Sequence, residues 1–269
     1  MNMKRYRVAP DSKVDLSRFD PRDTSEAPKG KADTEKVFQE LNERLELLQE
    51  RLWAERKHKV LVVLQGMDTS GKDGVIRKVF EGINPLGVHV TAFKAPTEDE
   101  LDHDFLWRIH KRVPGRGEIM IFNRSHYEDV LVPRVRKLVP EKVWKARYDQ
   151  INDFERLLAE SGTTLLKFYL SISKDEQKER LQERLDNPEK HWKFRKGDLE
   201  DRALWDDYME AYEALLARTS TEHAPWYVVP ADKKWYRNLV IASVLVEALE
   251  DLKIGRPEPE EDLEGVVVL

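Results

Sequence analysis

The stretch KVLVVLQGMDTSGKDG (59–74) constrains this chain more than any other. Its first seven residues are an unbroken apolar, β-branched run with no polar face. Such a run suits a strand buried on both sides, as a parallel sheet requires. It leads straight into GMDTSGKDG (66–74), where Gly66, Gly71 and Lys72 stand at the spacing G-x-x-x-x-G-K, and a helix is expected from about Gly74. Strand, glycine loop, then helix is the context in which that spacing points to a phosphate cradle. Glycines let backbone N–H groups approach an anion, and the helix adds the positive end of its dipole. Lys72 adds a point charge for the outer phosphates. Gly66, Met67, Thr69, Ser70, Gly71, Asp73 and Gly74 are therefore candidate phosphate contacts. A plain strand-to-helix turn that happens to hold two glycines is the bland alternative.

Two carboxylates in this loop need a reason, because phosphate repels them. Asp73 stands where a Ser or Thr usually holds magnesium. An acid there suits the helix N-terminus, and helix capping is its simpler reading. Asp68 sits mid-loop. A hard cation between it and the phosphate would make its charge tolerable, so a metal ligand is the expectation.

The rest of the chain alternates strand and helix. An irregular arm (1–33) precedes a helix capped by Asp33 or Thr34, with Val37, Phe38, Leu41, Leu45, Leu48 and Leu52 on one stripe. Further strands are expected at 89–94, 118–123, 164–172 and 225–230. Thr97 with Glu100 reads as a capping box for a helix presenting Leu101, Phe105 and Ile109, and Ser173 with Glu176 reads as another, for a helix running to about Asp186. Pro140 opens a helix that Gly162 ends. A long polar helix is expected at about 198–219, and a last one carries Trp235, Leu239 and Val244. These elements make an α/β fold with a five-stranded parallel sheet, helices on both faces and one helical excursion. Residues 34–252 form one domain, with the excursion at about 187–219 and an acidic tail at 253–269. The absence of cysteine excludes disulfides and thiolate chemistry. No apolar run approaches the roughly 18 residues of a membrane span, so no membrane partner is expected and the cytoplasm is the default location.

The third strand leads into FNRSHYEDVLVPRVRK (122–137), at the strand ends where open α/β sheets bind ligands. Asn123, Arg124, His126, Tyr127, Glu128 and Asp129 fall there, and Glu128 or Asp129 could complete a metal shell. Arg124, Arg134 and Arg136 are candidate phosphate forks, or members of a surface salt-bridge network. His126 is either a phosphoryl acceptor or, more simply, a hydrogen-bonding or packing residue. NPEKHWKFRKG (187–197) then breaks the helical pattern with Lys190, Trp192, Lys193, Phe194, Arg195 and Lys196. Alone it could be an anchored loop or a weak single-strand site. Beside a phosphate cradle it reads as a basic lid that excludes water.

GMDTSGKDG, FNRSHYEDVLVPRV and PEKHWKF followed by GDLEDRALWDDYMEAYE, in that order, closely resemble the type 2 polyphosphate kinase family over about residues 35–250. The resemblance implies a P-loop kinase fold with a helical lid, and magnesium-dependent, reversible transfer of the terminal phosphoryl of inorganic polyphosphate to a nucleotide. Manganese is the alternative ion. The family's loop aspartate and lysine fall on Asp68 and Lys72, its strand-end arginine on Arg124, and its lid cations on Lys193 and Arg195. Many members carry Asp where this chain has Asn123; the form here resembles the branch that accepts both AMP and ADP. Glu128 is then the substitute acid beside Asp68 and Asn123 in the metal shell. ATP as product, guanine nucleotides as further acceptors, and a dimer or tetramer are also implied, with no nucleic-acid partner. A net charge of −5 does not announce a polyanion ligand, so binding one needs a local cationic track, for which Arg77, Lys78, Arg134, Arg136, Lys137 and the 190–196 stretch are candidates. An ATP-dependent nucleotide kinase and a nucleotide-binding switch are the competing classes.

Overall fold

The computed structural model describes residues 1–255 and Glu264; most of the acidic tail read from the sequence lies outside the described residues. In chain order the elements are α1 (Lys31–Glu55), β1 (Lys59–Gln65), α2 (Lys72–Val79), β2 (Val88–Ala92), α3 (Glu98–Leu101), α4 (Trp107–His110), β3 (Ile119–Asn123), α5 (Glu128–Val135), α6 (Glu141–Glu160), β4 (Thr163–Ser171), α7 (Lys174–Asp186), α8 (Lys196–Ala203), α9 (Trp205–Thr219), β5 (Trp226–Pro230) and α10 (Lys234–Asp251). Short 3₁₀ turns lie at Met3–Tyr6, Leu16–Arg18 and Pro188–Lys193.

The five strands form one sheet in the order β2-β3-β1-β4-β5, and every pair is parallel. The first β1 residue is half-buried and the next six are buried, as the unbroken apolar run requires. Register places Leu64 beside Asn123 and Phe168, so β1 and β3 end side by side. Helices α1, α2 and α10 pack together, and α5, α6 and α9 form a second group. Both α6 and α10 pack on β4, the sheet lying between the two groups.

Several sequence expectations change here. Helix α1 begins at Lys31 with Gly30 as its N-cap, and Thr34 returns its hydroxyl to the Gly30 carbonyl. The Thr97–Glu100 capping box forms, yet its helix stops at Leu101 and Trp107–His110 is a separate turn, leaving Leu101 exposed. Ser173 caps α7, while the Glu176 carboxylate is drawn to Arg180 rather than back to the cap. The helix expected over 198–219 divides at Leu204. Helix α9 buries Tyr208, Tyr212, Leu215 and Leu216 against α5 and α6, so only 187–203 remains peripheral. The irregular arm packs on the domain: Val8 donates to the Trp226 carbonyl at 2.8 Å, and Tyr6 meets Tyr236 and Asp23 at 2.6 Å each. It covers the open edge of β5, where unpaired backbone groups would otherwise face outward.

A charged cluster is buried in the core beneath the β3 exit. Lys167 on β4 is fully buried, and its ammonium donates to Glu155 Oε2 at 2.6 Å, the Thr219 carbonyl at 2.6 Å and the Tyr127 hydroxyl at 2.8 Å. Glu155 Oε1 also accepts from Tyr127 at 2.7 Å and contacts His126 Nε2 at 3.1 Å. Burial lowers the Lys167 pKa against the pull of Glu155; burial would raise Glu155, but Lys167 and His126 hold it below its usual value. The pair ties α6 to β4 and to the loop after β3. Truncating one partner strands the other charge, so Lys167→Met is expected to cost about 3–5 kcal/mol in urea unfolding. Glu155→Leu combined with Lys167→Met is expected to recover much of that loss.

Candidate functional site

The cradle is built from backbone conformations that few side chains tolerate. Gly66 has φ +146°, and a Cβ there would lie 2.8 Å from the Leu170 carbonyl oxygen and 2.9 Å from Ser70 Oγ. Thr69 is left-handed at φ +66°, and Gly71, at φ +99°, is the N-cap of α2. Lys72 bends back over the loop. Its ammonium donates to the Gly66 carbonyl at 2.7 Å and the Met67 carbonyl at 3.2 Å, with Ser70 Oγ at 3.4 Å. Burial, and then Arg124, push its pKa down to about 8, while Asp68, Glu128 and Asp73 pull the other way.

The end of β3 meets this loop. Arg124 adopts φ +61°, and its N–H bonds the Leu64 carbonyl at 3.1 Å, fixing the β3 exit to the end of β1. Its guanidinium donates to Asp68 Oδ1 at 2.5 Å and lies 3.8 Å from Glu128. Glu128 is the main influence raising the Arg124 pKa, with burial opposing it and Asp68 adding to it. Burial would raise Asp68, but Arg124 and Lys72 outweigh it and hold the carboxyl below its usual value. Asp73 makes no capping bond with its side chain; it accepts from Asn123 Nδ2 at 2.6 Å. The helix dipole still favours its charge in the first turn of α2. Gln65 donates to Glu128 at 3.2 Å. Asp68, Asp73, Asn123 and Glu128 thus bring oxygen donors around two cations, Lys72 and Arg124.

Other residues read from the sequence go elsewhere. His126 and Tyr127 are fully buried and face Glu155, so neither presents a side chain to a lid or nucleotide. The phosphoryl-acceptor reading of His126 falls with that burial. Asp129 lies 3.6 Å from Arg108 and 3.7 Å from Arg147. Burial outweighs these arginines and raises its pKa. Arg134 pairs with Glu210 at 2.5 Å and lies over the Trp144 ring, and Arg136 pairs with Asp201 at 2.6 Å and Glu200 at 3.2 Å. Both therefore link the C-terminal end of α5 to the α8–α9 segment. Arg77 is exposed in the last turn of α2, and Lys78 pairs with Glu81 at 2.9 Å.

The basic excursion is tied to α7 by residues whose role the sequence does not announce. Arg184 donates to the Lys193 carbonyl at 3.1 Å and to Asp198 at 3.2 Å. Burial and then Asp68 raise the Asp198 pKa, which places α8 within electrostatic reach of the cradle. Lys190 pairs with Glu183, Lys193 lies over the Trp192 ring, and Phe194 is half-buried. Trp192 is 78% exposed, and Arg195 is exposed too, so both are free to meet a ligand. Gln65, Gln177, Arg180 and Arg237 also reach the site, although nothing in their local sequence marks them. Arg180 sits in a helix so charged that it reads as a solvated face. Arg237 stands among the apolar residues of α10.

A parallel sheet whose central strand feeds a glycine cradle, with a lysine folded over it and an arginine at the neighbouring strand end, defines a phosphoryl-handling P-loop protein. The chain belongs to the polyphosphate kinase 2 family, whose profile matches residues 29–257. It is 62% identical over 266 residues to the AMP/ADP-polyphosphate phosphotransferase of Meiothermus ruber, covering 99% of this chain and 100% of that one. It is 45% identical to the ADP-polyphosphate phosphotransferase of Rhodopseudomonas palustris, covering 95% and 92% of the two chains. The crystal structure of polyphosphate kinase 2 from Arthrobacter aurescens superposes with a TM-score of 0.93 at 47% identity, covering 97% of this chain and 93% of that one. These matches span the whole arrangement of sheet, cradle and excursion.

Because Gly66 combines a positive φ with a backbone carbonyl in the path of a Cβ, Gly66→Ala is expected to cost about 1–3 kcal/mol of stability. It is also expected to abolish the thermal stabilisation that tripolyphosphate gives the wild type. Calorimetry with and without tripolyphosphate checks both.

Proposed function

We propose that this protein transfers the terminal phosphoryl group of inorganic polyphosphate to AMP and to ADP, reversibly. The observation that carries the reading is the full-length, 62% identical match to a protein named AMP/ADP-polyphosphate phosphotransferase, joined to a cradle that holds Lys72 and Arg124 at one mouth. A terminal phosphate oxygen of the acceptor attacks the end phosphorus of the chain. The bond from that phosphorus to its bridging oxygen breaks, and the shortened polyphosphate leaves with the bridging oxygen as its new terminus. Such a reaction needs positioning and charge neutralisation rather than a protein nucleophile, which agrees with the burial of His126.

The residues divide this work. The loop N–H groups and Lys72 hold the donor's last phosphates. Arg124 is already at the cradle, resting on Asp68, and exchanges that carboxylate for the transferring phosphoryl oxygens as they arrive. Trp192, Lys193 and Arg195 close from the peripheral segment and shed water from the site. Asp68, Asp73, Glu128 and Asn123 offer hard oxygen donors suited to magnesium. Among the described residues no three His, Cys, Asp or Glu side chains form a ready-made cage, so an ion here would share its shell with phosphate oxygens and water. Bound magnesium supplies Lewis-acid neutralisation of the phosphate charge.

Purified protein with polyphosphate and magnesium is expected to make ADP and then ATP from AMP, and ATP from ADP. ATP formed from ADP alone would restrict the acceptor range. Turnover that required ATP as donor and ignored polyphosphate would sink the reading.

The cationic form of Lys72 is the one that binds phosphate, and its pKa is about 8 in the ligand-free protein. kcat/KM for polyphosphate is therefore expected to be level below that pH and to fall above it, by about tenfold per pH unit. Bound phosphates favour the charged ammonium, so the same limb in kcat should move to higher pH. A kcat/KM profile that stays flat to about pH 10 would contradict this role for Lys72.

A further inference from the structure

Five consecutive carbonyls of the cradle, Gly66 to Ser70, accept hydrogen bonds from side chains. Lys72 takes those of Gly66 and Met67. Gln177 donates to the Asp68 carbonyl at 3.2 Å. Arg180 donates to the Thr69 carbonyl at 2.9 Å and the Ser70 carbonyl at 3.2 Å, and its other nitrogen holds the Ala231 and Asp232 carbonyls at 2.7 and 3.1 Å. Arg237 reaches the Ser70 carbonyl at 3.4 Å. A planar trans peptide carries its C=O and N–H on opposite edges. A Ser70 carbonyl drawn towards α7 and α10 therefore turns the Gly71 N–H away from those helices.

Arg237 is the unusual member. It is 2% exposed, and no carboxylate pairs with it among the described residues. Its side-chain partner is Asn238 Oδ1, at 2.9 and 3.2 Å. Burial, and then the neighbouring Arg180, lower its pKa to about 9. The guanidinium lies against the start of α2: a Cβ on Gly71 would come 2.0 Å from Arg237 Nη1, and one on Gly74 3.2 Å from Nη2. A buried cation without a counterion is costly, and an arginine is almost never fully buried unless it is paired. The opposite side of the loop backbone, towards which the Gly71 N–H turns, is where the proposed donor would present its phosphates.

We propose that Arg237 is a positioning residue for the donor phosphates. Its charge, unmatched inside the protein, is balanced by the polyphosphate that enters the cradle, and its hydrogen bond to Ser70 orients the Gly71 N–H. The assignment rests on the reading of the cradle as the polyphosphate site. It separates cleanly from a merely structural role, in which removing Arg237 would lower stability and leave ligand response intact. A counterion-seeking cation does the reverse.

The test uses the full chain, with tripolyphosphate as probe in calorimetry and polyphosphate with ADP in kinetics. In Arg237→Met the ligand-free melting temperature is expected to hold or rise, while the upward shift given by tripolyphosphate falls to less than about half. KM for polyphosphate rises on the order of tenfold, and kcat changes by less than about threefold. Arg237→Lys keeps the charge and should restore most of the shift and of KM. A folded Met variant with unchanged shift and KM overturns the proposal. So does a large loss of ligand-free stability in both variants, which would make the residue structural. A Lys variant no better than Met would assign the effect to the hydrogen bond alone and overturn the charge match. If the wild type is stabilised by tripolyphosphate but transfers nothing to AMP or ADP, the proposed activity fails while the Arg237 comparison still reads out by calorimetry.

Discussion

Lys72 organises the site because its ammonium is buried against carbonyl oxygens and touches no carboxylate. A lysine satisfied by an acid would have little left for a phosphate. Here the acids stand one step back. Asp68 is engaged by Arg124, Asp73 by Asn123, and Glu128 by Gln65 and Arg124. Their fields keep the cations from being prohibitively costly, and their direct contacts are ones a phosphate or an ion can replace. The depressed pKa of Lys72 reflects that compromise: burial is only partly offset by the nearby carboxylates.

Sheet topology makes this possible. β3 and β4 flank β1, so the loop after β1 emerges between two neighbours, and the bond from the Arg124 N–H to the Leu64 carbonyl locks one of them to it. Further along the β3 exit the chain turns inward. His126 and Tyr127 anchor on Glu155 and Lys167, a buried pair whose free energy depends on both members being present. Arg124 is held in a left-handed conformation between the Leu64 bond and this anchor. The same short motif therefore has a half-buried end facing the cradle, Asn123, Arg124 and Glu128, and a fully buried structural end, His126 and Tyr127.

That division explains what the sequence can and cannot reveal. The strand and cradle are legible because KVLVVLQ and G-x-x-x-x-G-K each have few physical readings. All five strands, and the long helices α6 and α10, come from periodicity and capping. The sequence leaves His126 open between a phosphoryl acceptor and a packing residue, and sets Tyr127 at a strand end where ligands bind; only the position of Glu155 and Lys167, far along the chain, turns both inward. Arg134 and Arg136 stay open between phosphate forks and salt bridges because Glu210 and Asp201 are distant in sequence and close only in the fold. Arg180 and Arg237 are invisible for the converse reason. Their partners at the cradle are backbone carbonyls, which carry no side-chain signature. Long-range pairing, rather than local propensity, decides each of these cases.

The clamp behind the cradle also gives the peripheral segment a mechanical connection to it. Arg202 of α8 donates to Gln177 Oε1 at 2.9 Å, and Gln177 in turn holds the Asp68 carbonyl at 3.2 Å. On the same helix α7, Arg180 holds the next two carbonyls, and Arg184 holds the Lys193 carbonyl and Asp198. One face of α7 thus contacts the cradle loop, while its C-terminal turn holds the segment carrying Trp192, Lys193 and Arg195. A displacement of α8 towards a bound polyanion would act on the Asp68 peptide through two hydrogen bonds, without passing through the core. In the proposed reaction Asp68 is also the residue that Arg124 releases when phosphate arrives. The closure and the arginine release of the proposed reaction would therefore share a short physical path, whose discrete contacts are Arg202, Gln177 and the Asp68 carbonyl.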